Sequence, residues 1–522
     1  MNETAVQTEW VTAEAVESRP EERQRPGRVK AAPRLKAVDR SQLMLRSVDV
    51  EQLVEEDHPA RAIWAFTGRM DWSGFYASVH AVEGVAGREA WDARLLASLW
   101  IYAYSRGIGS AREVARRCGY DPAFQWLTGL QEVNYHTLAD FRVGYQRELD
   151  ELFAQALGLL SAEGLITLER VMHDGTKIKA CAGADSFRRE ERIRTHLEAA
   201  RAQVTAMGDP RVEPPARQRA ARERAQRERT QHLEQALGEL EKIRQAKTGE
   251  EAKAQARVSQ SDPEARIMKQ GDGGFAPSYN AQISTDAAHG LIVGVGISQC
   301  GSDYGELVAA VQRVEQSTGQ KPQQVVVDGG FTSRENVVAM AEAGIDLVGS
   351  LDEYNEQSAG QLRRRGVVEA FYPHAFAYDA EQNVYRCPAG ELLRHDGQEK
   401  GAGIVHHRYR APAATCAVCQ FKGQCCPQNE SKGRMITRAI EAPIVQAFKA
   451  KMQTEAAKAI YRQRRAIAEF PNAWLKAKIG LRQFRVRGLR KVGMEALWAC
   501  LTHNIQQWMR LRWRMELQAT AA

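Results

Sequence analysis

No apolar run in the 522-residue chain approaches the roughly 18–20 residues that a membrane-spanning helix needs, so no membrane partner is expected. The opening stretch, MNETAVQTEWVTAEAVESRPEERQRPGRVK, lacks the apolar core of a secretory signal, and a cytoplasmic protein is expected. Cysteine is sparse: nine residues, an odd number, with five of them between Cys387 and Cys426. In a reducing compartment that clustering favours a metal site over a disulfide framework. Acidic residues are nearly missing from 461–491, where ten Lys or Arg accompany a single acid, Glu469. The whole chain is far less lopsided. Its 72 basic and 65 acidic residues give a net charge of +7, a mild surplus compatible with a polyanionic partner. A hydrophobic content of 43% indicates a globular protein, and the length exceeds one core, so roughly two to four domains are expected.

Two short stretches carry a lone carboxylate in a β-prone setting. Val171–Ala180 reads VMHDGTKIKA. An apolar lead-in (Leu165, Ile166, Leu168, Val171) runs into Asp174, and Gly175 leaves room for a close approach to the backbone. Gln323–Gly330 reads QQVVVDGG, a buried strand that delivers Asp328 before two glycines. Parallel sheets hold ligands at the carboxyl ends of their strands. An Asp in an ordinary turn is the competing reading for each. The pair, taken with Glu469 on a basic helix far downstream, weakens it.

Residues 1–44 are polar, charged and proline-containing and read as a disordered tail. Residues 45–162 have helical periodicity. Trp91–Arg106 reads as a buried or amphipathic helix, Ser110-Ala-Arg-Glu113 as a capping box, and Asp121-Pro122 as an N-cap followed by proline. Thr137-Leu-Ala-Asp140 reads as a cap opening a long helix to about Ser161. Short helices bearing Arg112, Arg116, Arg117 and Arg142 suggest a helix-turn-helix-like DNA-binding bundle. A plain bundle with solvated arginines is the alternative.

From 163 to 513 the pattern is mixed. A strand region at Leu165–Cys181 is followed by a hairpin, Tyr279–Thr285 with Leu291–Ser298, turning at Asp286–Gly290. Then come helix Asp303–Gln316, strand Gln324–Asp328, helix Arg334–Ala343 and strand Ile345–Ser350: a mixed sheet with helices packed on it. Residues 187–257 interrupt it with alternating charge and breaks at Gly208-Asp-Pro210 and Glu213-Pro-Pro215, which predicts a protruding helical hairpin. A solvated face is its default reading, and a dimer or DNA arm the other. Residues 351–440 interrupt the pattern again and hold the cysteines. Cys387, Cys416, Cys419 and Cys425 suit a structural Zn²⁺, with Cys426, His406 and His407 as alternates and free thiols as the competing reading. Ala442 to about Phe470 reads as helix. Phe470, Trp474 and Phe484 interleave with the basic residues, as where phosphate contacts sit beside packed or stacking aromatics. The last helix, Met494–Trp513, is apolar on one face (Leu497, Leu501, Ile505, Trp508).

Three pieces, HDGTKIKA around Asp174, VVVDGGFTS around Asp328 and YRQRRAIAEFPNAWLK around Glu469, resemble bacterial insertion-sequence transposases of the DDE class. RLLASLWIYAYSRGIGSAREVARRC and HTLADFR resemble the helical domain that precedes the catalytic domain in that family, and RQFRVRGLRKVGMEALWACLTHNIQQW fits its close. The resemblance runs from about residue 45 to 513. It implies an α/β, RNase H-like mixed sheet flanked by helices over 163–513, behind an all-α helix-turn-helix-like domain over 45–162. The helical hairpin (187–257) and the Cys-rich segment (351–440) are then insertions.

The resemblance implies Asp174, Asp328 and Glu469 as catalytic residues and metal ligands. Oxygen-only ligands select hard ions, hence Mg²⁺ or Mn²⁺. Glu455 competes with Glu469, but it has Lys451 and Lys458 at helix-surface spacing. The tyrosine-arginine-glutamate-lysine helix of this group matches Tyr461, Arg464 or Arg465, Glu469 and Lys476, and Pro471 is expected to bend it. Tyr461, Arg462, Arg465, Lys476, Arg482, Arg485 and Arg487 are expected on DNA, Tyr461 as a positioning group. The implied activity is binding of terminal inverted repeats in double-stranded DNA, strand cleavage, and transfer of the freed 3′-OH to target DNA, by a homodimer or larger assembly. A metal-dependent RNase H-like nuclease without strand transfer and a non-catalytic DNA-binding regulator are the alternatives.

Overall fold

The computed structural model describes residues 47–81, 89–206, 216–351, 354–401, 404–427 and 432–515. The expected tail, 1–44, and most of the expected break between the hairpin helices lie outside them. From Asp49 the chain forms one compact unit. Among the described residues no helix is long and apolar enough to cross a membrane.

The unit opens with helices α1 (Pro59–Thr67), α2 (Ala93–Ser105), α3 (Ala111–Cys118), α4 (Pro122–Thr128), α5 (Tyr135–Gly144) and α6 (Gln146–Ala162). Asp121 caps α4 by accepting the Ala123 N–H, with Pro122 at the first helical position. Two other caps differ from expectation. Ser110 makes no side-chain cap, and Glu113 instead binds Arg116 and Arg117 at 2.7 and 2.9 Å. Two guanidinium partners one turn away outcompete a single backbone N–H. Asn134, not Thr137, opens α5 by accepting the His136 N–H, and the long helix breaks at Tyr145.

The central sheet follows: β1 (Arg170–Lys179), then the helices α7 (Glu190–Ala206) and α8 (Ala216–Gln245), then β2 (Arg266–Lys269), β3 (Phe275–Asp286) and β4 (Ile292–Ser298). Helix α9 (Glu306–Thr318) leads to β5 (Gln324–Val326), and α10 (Arg334–Glu342) leads to β6 (Asp346–Val348). The strand order is β2-β3-β1-β5-β6, with β4 also on β3. β3 is antiparallel to β1, while β1, β5 and β6 run parallel. β1 is therefore central, bonded on both edges. α7 and α8 pack together around Ile193, Leu197, Leu233 and Leu240, in a cluster that also takes in Ala256 and Val258. Short strands at Phe187–Arg188 and Val258–Ser259 close its base.

After α11 (Tyr354–Arg364), where the sequence shows only a break in pattern, lies a five-stranded antiparallel sheet: β7 (Ala377–Asp379), β8 (Val384–Arg386), β9 (Leu392–Gly401), β10 (Ile404–Arg410) and β11 (Met435–Glu441). Its buried set is small, Phe376, Leu393, Tyr409, Ala411 and Ile436, so alternation along such charged strands is faint.

The next helical stretch is two helices, α12 (Pro443–Gln453) and α13 (Glu455–Ala477). Thr454 divides them, its hydroxyl accepting the Ala457 N–H. Pro471 sits inside α13, which continues to Ala477. A proline forfeits one helical hydrogen bond, and burial of Pro471, Asn472 and Leu475 holds the helix together past it. The last helix, α14 (Leu489–Trp508), is buried nearly all round, not on one face. It lies against α2, α6 and β4, and its Trp498 and Leu501 share one core with Ile63, Trp100 and Ile292. Asn504 bonds both the N–H and the C=O of Ile292, at 2.8 and 2.7 Å, which ties α14 to the sheet.

Candidate active site

Alternate residues of β1 face opposite ways. Met172 packs on Ala468 of α13, and Thr176 accepts a hydrogen bond from Lys476 Nζ at 2.5 Å. Asp174, between them, shares that face. Asn472 Nδ2 donates to Asp174 Oδ2 at 2.9 Å. Arg464 Nη1 lies 3.9 Å from Asp174 Oδ1, and its Nη2 lies 3.9 Å from Glu469 Oε1. One half-buried guanidinium thus bridges two of the three expected carboxylates. Burial pushes the Asp174 carboxyl up to about 6; Asp328 and Asp303 add to the rise, and Arg464 and Asn472 oppose it.

Asp328 lies just past the end of β5, and its Oδ1 accepts the Gly330 N–H at 2.8 Å. Glu469 is half exposed, with Arg465 Nε 3.6 Å away. Glu455 pairs with Lys458 and Arg462 at 3.1 and 3.4 Å, in the first turn of α13. Its expected partner Lys451 goes instead to Asp346, at 2.5 Å, because the break at Thr454 turns α12 away.

Sequence reasoning missed the opposite face of β1. His173 bonds Ser284 Oγ and Gln282 Oε1 at 2.9 and 2.8 Å, and burial lowers its pKa to about 4, so it is neutral at pH 7. Asp303, in the loop before α9, accepts from Asn280 Nδ2 and Gln282 Nε2 at 2.7 and 2.9 Å. A Cβ at position 175 would collide with Asp303 Oδ1 and Gln282 Nε2, which explains the glycine beside Asp174. The signal in the sequence was Asn280 and Gln282, two amides alternating with the core residues Tyr279, Ala281 and Ile283 on one strand.

The expected DNA contacts fall on two neighbouring elements. Tyr461, Arg462, Arg465 and Lys476 ride on α13, Arg462 and Arg465 being exposed and Lys476 half-buried with its pKa lowered by burial. Arg482, Arg485 and Arg487 follow on a segment that bonds the end of β1, with Phe484 N–H donating to Lys179 O at 2.9 Å. Arg487 Nε is held by Cys181 O at 3.0 Å.

All nine cysteines are free thiols. Cys387, Cys416, Cys419, Cys425 and Cys426 line one small cavity of about 30 Å³ with Phe371, Leu393 and Phe421. Burial, with Cys426, Cys416 and Cys387 nearby, pushes the Cys425 thiol up to about 12. His406 and His407 are not among the cavity's lining residues, and His407 Nδ1 lies 3.1 Å from His395 Nε2.

Among the described residues no group of three or more His, Cys, Asp or Glu is closed to the spacing of metal ligands. Around Asp174 this has an electrostatic reason: carboxylates without a cation repel, and Arg464 stands between two of them. The donors themselves fit a hard divalent ion. They comprise a buried carboxylate, a second one nearby, and the buried Oδ1 of Asn472, which has no hydrogen-bond partner.

Two family models match the sequence, a Transposase DDE domain over residues 386–509 and a Transposase domain (DUF772) over residues 48–143. Both models are of transposases, and they support an insertion-sequence transposase of the DDE class. The DDE match contains the five clustered cysteines, Glu469 and α14, while Asp174 and Asp328 precede it. The other match takes in the helices at the start of the unit. No curated protein matches the chain. Among solved structures it is similar to the cryo-EM structure of a piggyBac transposase synaptic complex with hairpin DNA, at 9% identity over 87% of this chain and 81% of that one, with a TM-score of 0.24.

Proposed function

We propose that this transposase binds the terminal inverted repeats of its element, cleaves DNA there and joins the ends to target DNA, at a divalent-ion centre built on Asp174, Asp328 and Glu469. The observation that carries the reading is the convergence on β1. Asp174 lies on the central strand, Asp328 follows the parallel neighbour β5, and α13 lays Arg464, Glu469, Asn472 and Lys476 across them. The strand order with β1, β5 and β6 parallel and β3 antiparallel supports an RNase H-like reading of 163–513, with 45–162 as the DNA-binding helical domain. A bound Mg²⁺ or Mn²⁺ would supply Lewis-acid activation of the attacking oxygen and charge neutralisation at the leaving one.

The protein's own part is placement. Lys476, locked on Thr176, and Asn472 fix the flank of Asp174. Arg462, Arg465, Arg482, Arg485 and Arg487 offer guanidinium groups to backbone phosphates, so affinity falls with salt. The transposase works as a homodimer or larger assembly on DNA. An assay with labelled terminal repeats and a target duplex tests the reading. Joined products support it, cut ends alone favour a nuclease, and no metal-dependent cutting favours a DNA-binding regulator.

The hairpin α7–α8 serves assembly or DNA grip. Its apolar cluster is its own, so replacing residues 187–257 by a short linker is expected to preserve cooperative unfolding while lowering strand transfer. Unaltered strand transfer by that variant removes the functional role.

The cysteine cavity holds one structural Zn²⁺ on Cys387, Cys416, Cys419 and Cys425, with Cys426 as the alternate fourth thiolate. Zinc binding would replace the protons of these half-buried thiols and draw the sulfurs to about 2.3 Å from the ion. Elemental analysis is expected to give one zinc per chain. Absence of zinc, with all thiols titrating freely under native conditions, rules the site out.

A further inference from the structure

We infer that Asn472 is a neutral oxygen ligand of the ion held by Asp174, a role that rests on the proposed divalent-ion centre. Asn472 stands one turn beyond Glu469 on α13 and is 6% exposed. Its Nδ2 is used, donating to Asp174 Oδ2 at 2.9 Å. Its Oδ1 is buried and has no hydrogen-bond partner. A buried amide oxygen left unpaired costs about 1–3 kcal/mol, and native interiors rarely tolerate one without a reason. Here the unpaired oxygen belongs to the same planar amide that touches the candidate ligand. It therefore lies within an amide's width of the place where an ion on Asp174 would sit.

The two states of the site explain both ends of the amide. Without an ion, Asp174 is a half-buried carboxylate near Asp328 and Asp303, and it needs a donor; Asn472 Nδ2 is that donor. With an ion on Asp174 the carboxylate no longer calls for an N–H, and an N–H pointed at a cation is repelled. Turning the amide about its last torsion exchanges Nδ2 for Oδ1, and a carboxamide oxygen is a normal ligand for Mg²⁺ or Mn²⁺. Asn472 carries no charge, so it adds a ligand without adding to the repulsion among the carboxylates. An aspartate there would raise that repulsion in the ion-free protein, and an apolar residue would leave the ion one oxygen short.

Titration of Mn²⁺ into ion-free protein, followed by the loss of free-ion EPR signal, reads this without reference to catalysis. Asn472→Leu, close in volume, is expected to weaken Mn²⁺ binding by roughly 10–100-fold. Asn472→Asp restores an oxygen and is expected to bind Mn²⁺ at least as tightly as the parent. Parent-like affinity in Asn472→Leu, or equal weakening in both variants, overturns the ligand role. Asp174→Asn in the same titration separates the two levels. If it weakens Mn²⁺ binding and Asn472→Leu does not, only the present inference fails. If Asp174→Asn binds Mn²⁺ like the parent, the proposed ion centre fails with it.

Discussion

Asp174→Asn and Asp328→Asn are each expected to lower divalent-ion-dependent cleavage of terminal-repeat DNA by roughly 10²–10³-fold or more, a loss typical of removing a group that stabilises developing charge. DNA binding stays within a few-fold, because neither residue belongs to the basic surface of α13 and the segment after it. The two variants differ in a second measurement. Burial raises the Asp174 carboxyl to about 6 from its ordinary 3.8. A carboxyl whose folded value is raised loses stability as pH climbs from the unfolded value through the folded one. Above pH 6 the ionised form therefore costs the ion-free protein on the order of 2–3 kcal/mol. Asp174→Asn, which still accepts from Asn472, is expected to stabilise ion-free protein at pH 8 and to have little effect at pH 4. Denaturant melts at the two pH values check this, and a destabilised Asp174→Asn at pH 8 contradicts it. If either variant cuts DNA like the parent, that residue leaves the catalytic set.

Glu469→Gln is expected to abolish cleavage and weaken Mn²⁺ binding, while Glu455→Gln is expected to leave both within a few-fold. Both acids ride on α13, so the choice depends on which part of the helix meets the sheet. Glu455 lies in the first turn and binds Lys458 and Arg462, ordinary exposed surface pairs that water and salt screen. Glu469 lies where α13 crosses β1, between Ala468, buried on Met172, and Asn472, bonded to Asp174. Arg464 ties it to Asp174 through one guanidinium. Glutamine keeps the size and removes the charge, so Arg464 then answers to Asp174 alone. Metal-dependent cleavage assays of the two variants decide, and the reverse pattern moves the centre to the start of α13.

Much of this arrangement was legible in the residues. The lone acids in VMHDGTKIKA and QQVVVDGG fell on or just after strands because the apolar runs before them have nowhere to go but a buried sheet. The hairpin α7–α8 followed from charge alternation broken by proline and glycine. The helix breaks were less legible. Ser110 and Thr137 have capping chemistry, yet Glu113 found two arginines and Asn134 lay one turn earlier. Thr454 divided a helix whose periodicity runs through it unbroken. Each is a local competition between near-equal partners, which neighbours distant in sequence settle.

The sequence by itself determined the family, the β-strand setting of Asp174 and Asp328, and the concentration of basic residues around Glu469, since these depend on residue type and spacing along the chain. It did not determine what surrounds Asp174. Asn472, Arg464 and Asp303 reach β1 from α13 and from the loop before α9, all of them far along the chain from Asp174, Asn472 by 298 residues. Nor did it show that α14 would be buried on every side between the opening helices and β4. A periodic pattern reports one apolar face, and a helix wrapped by two layers has no solvent face to report. Side-chain chemistry sets which groups suit an ion, and the crossing of α13 over β1 sets which of them can reach one.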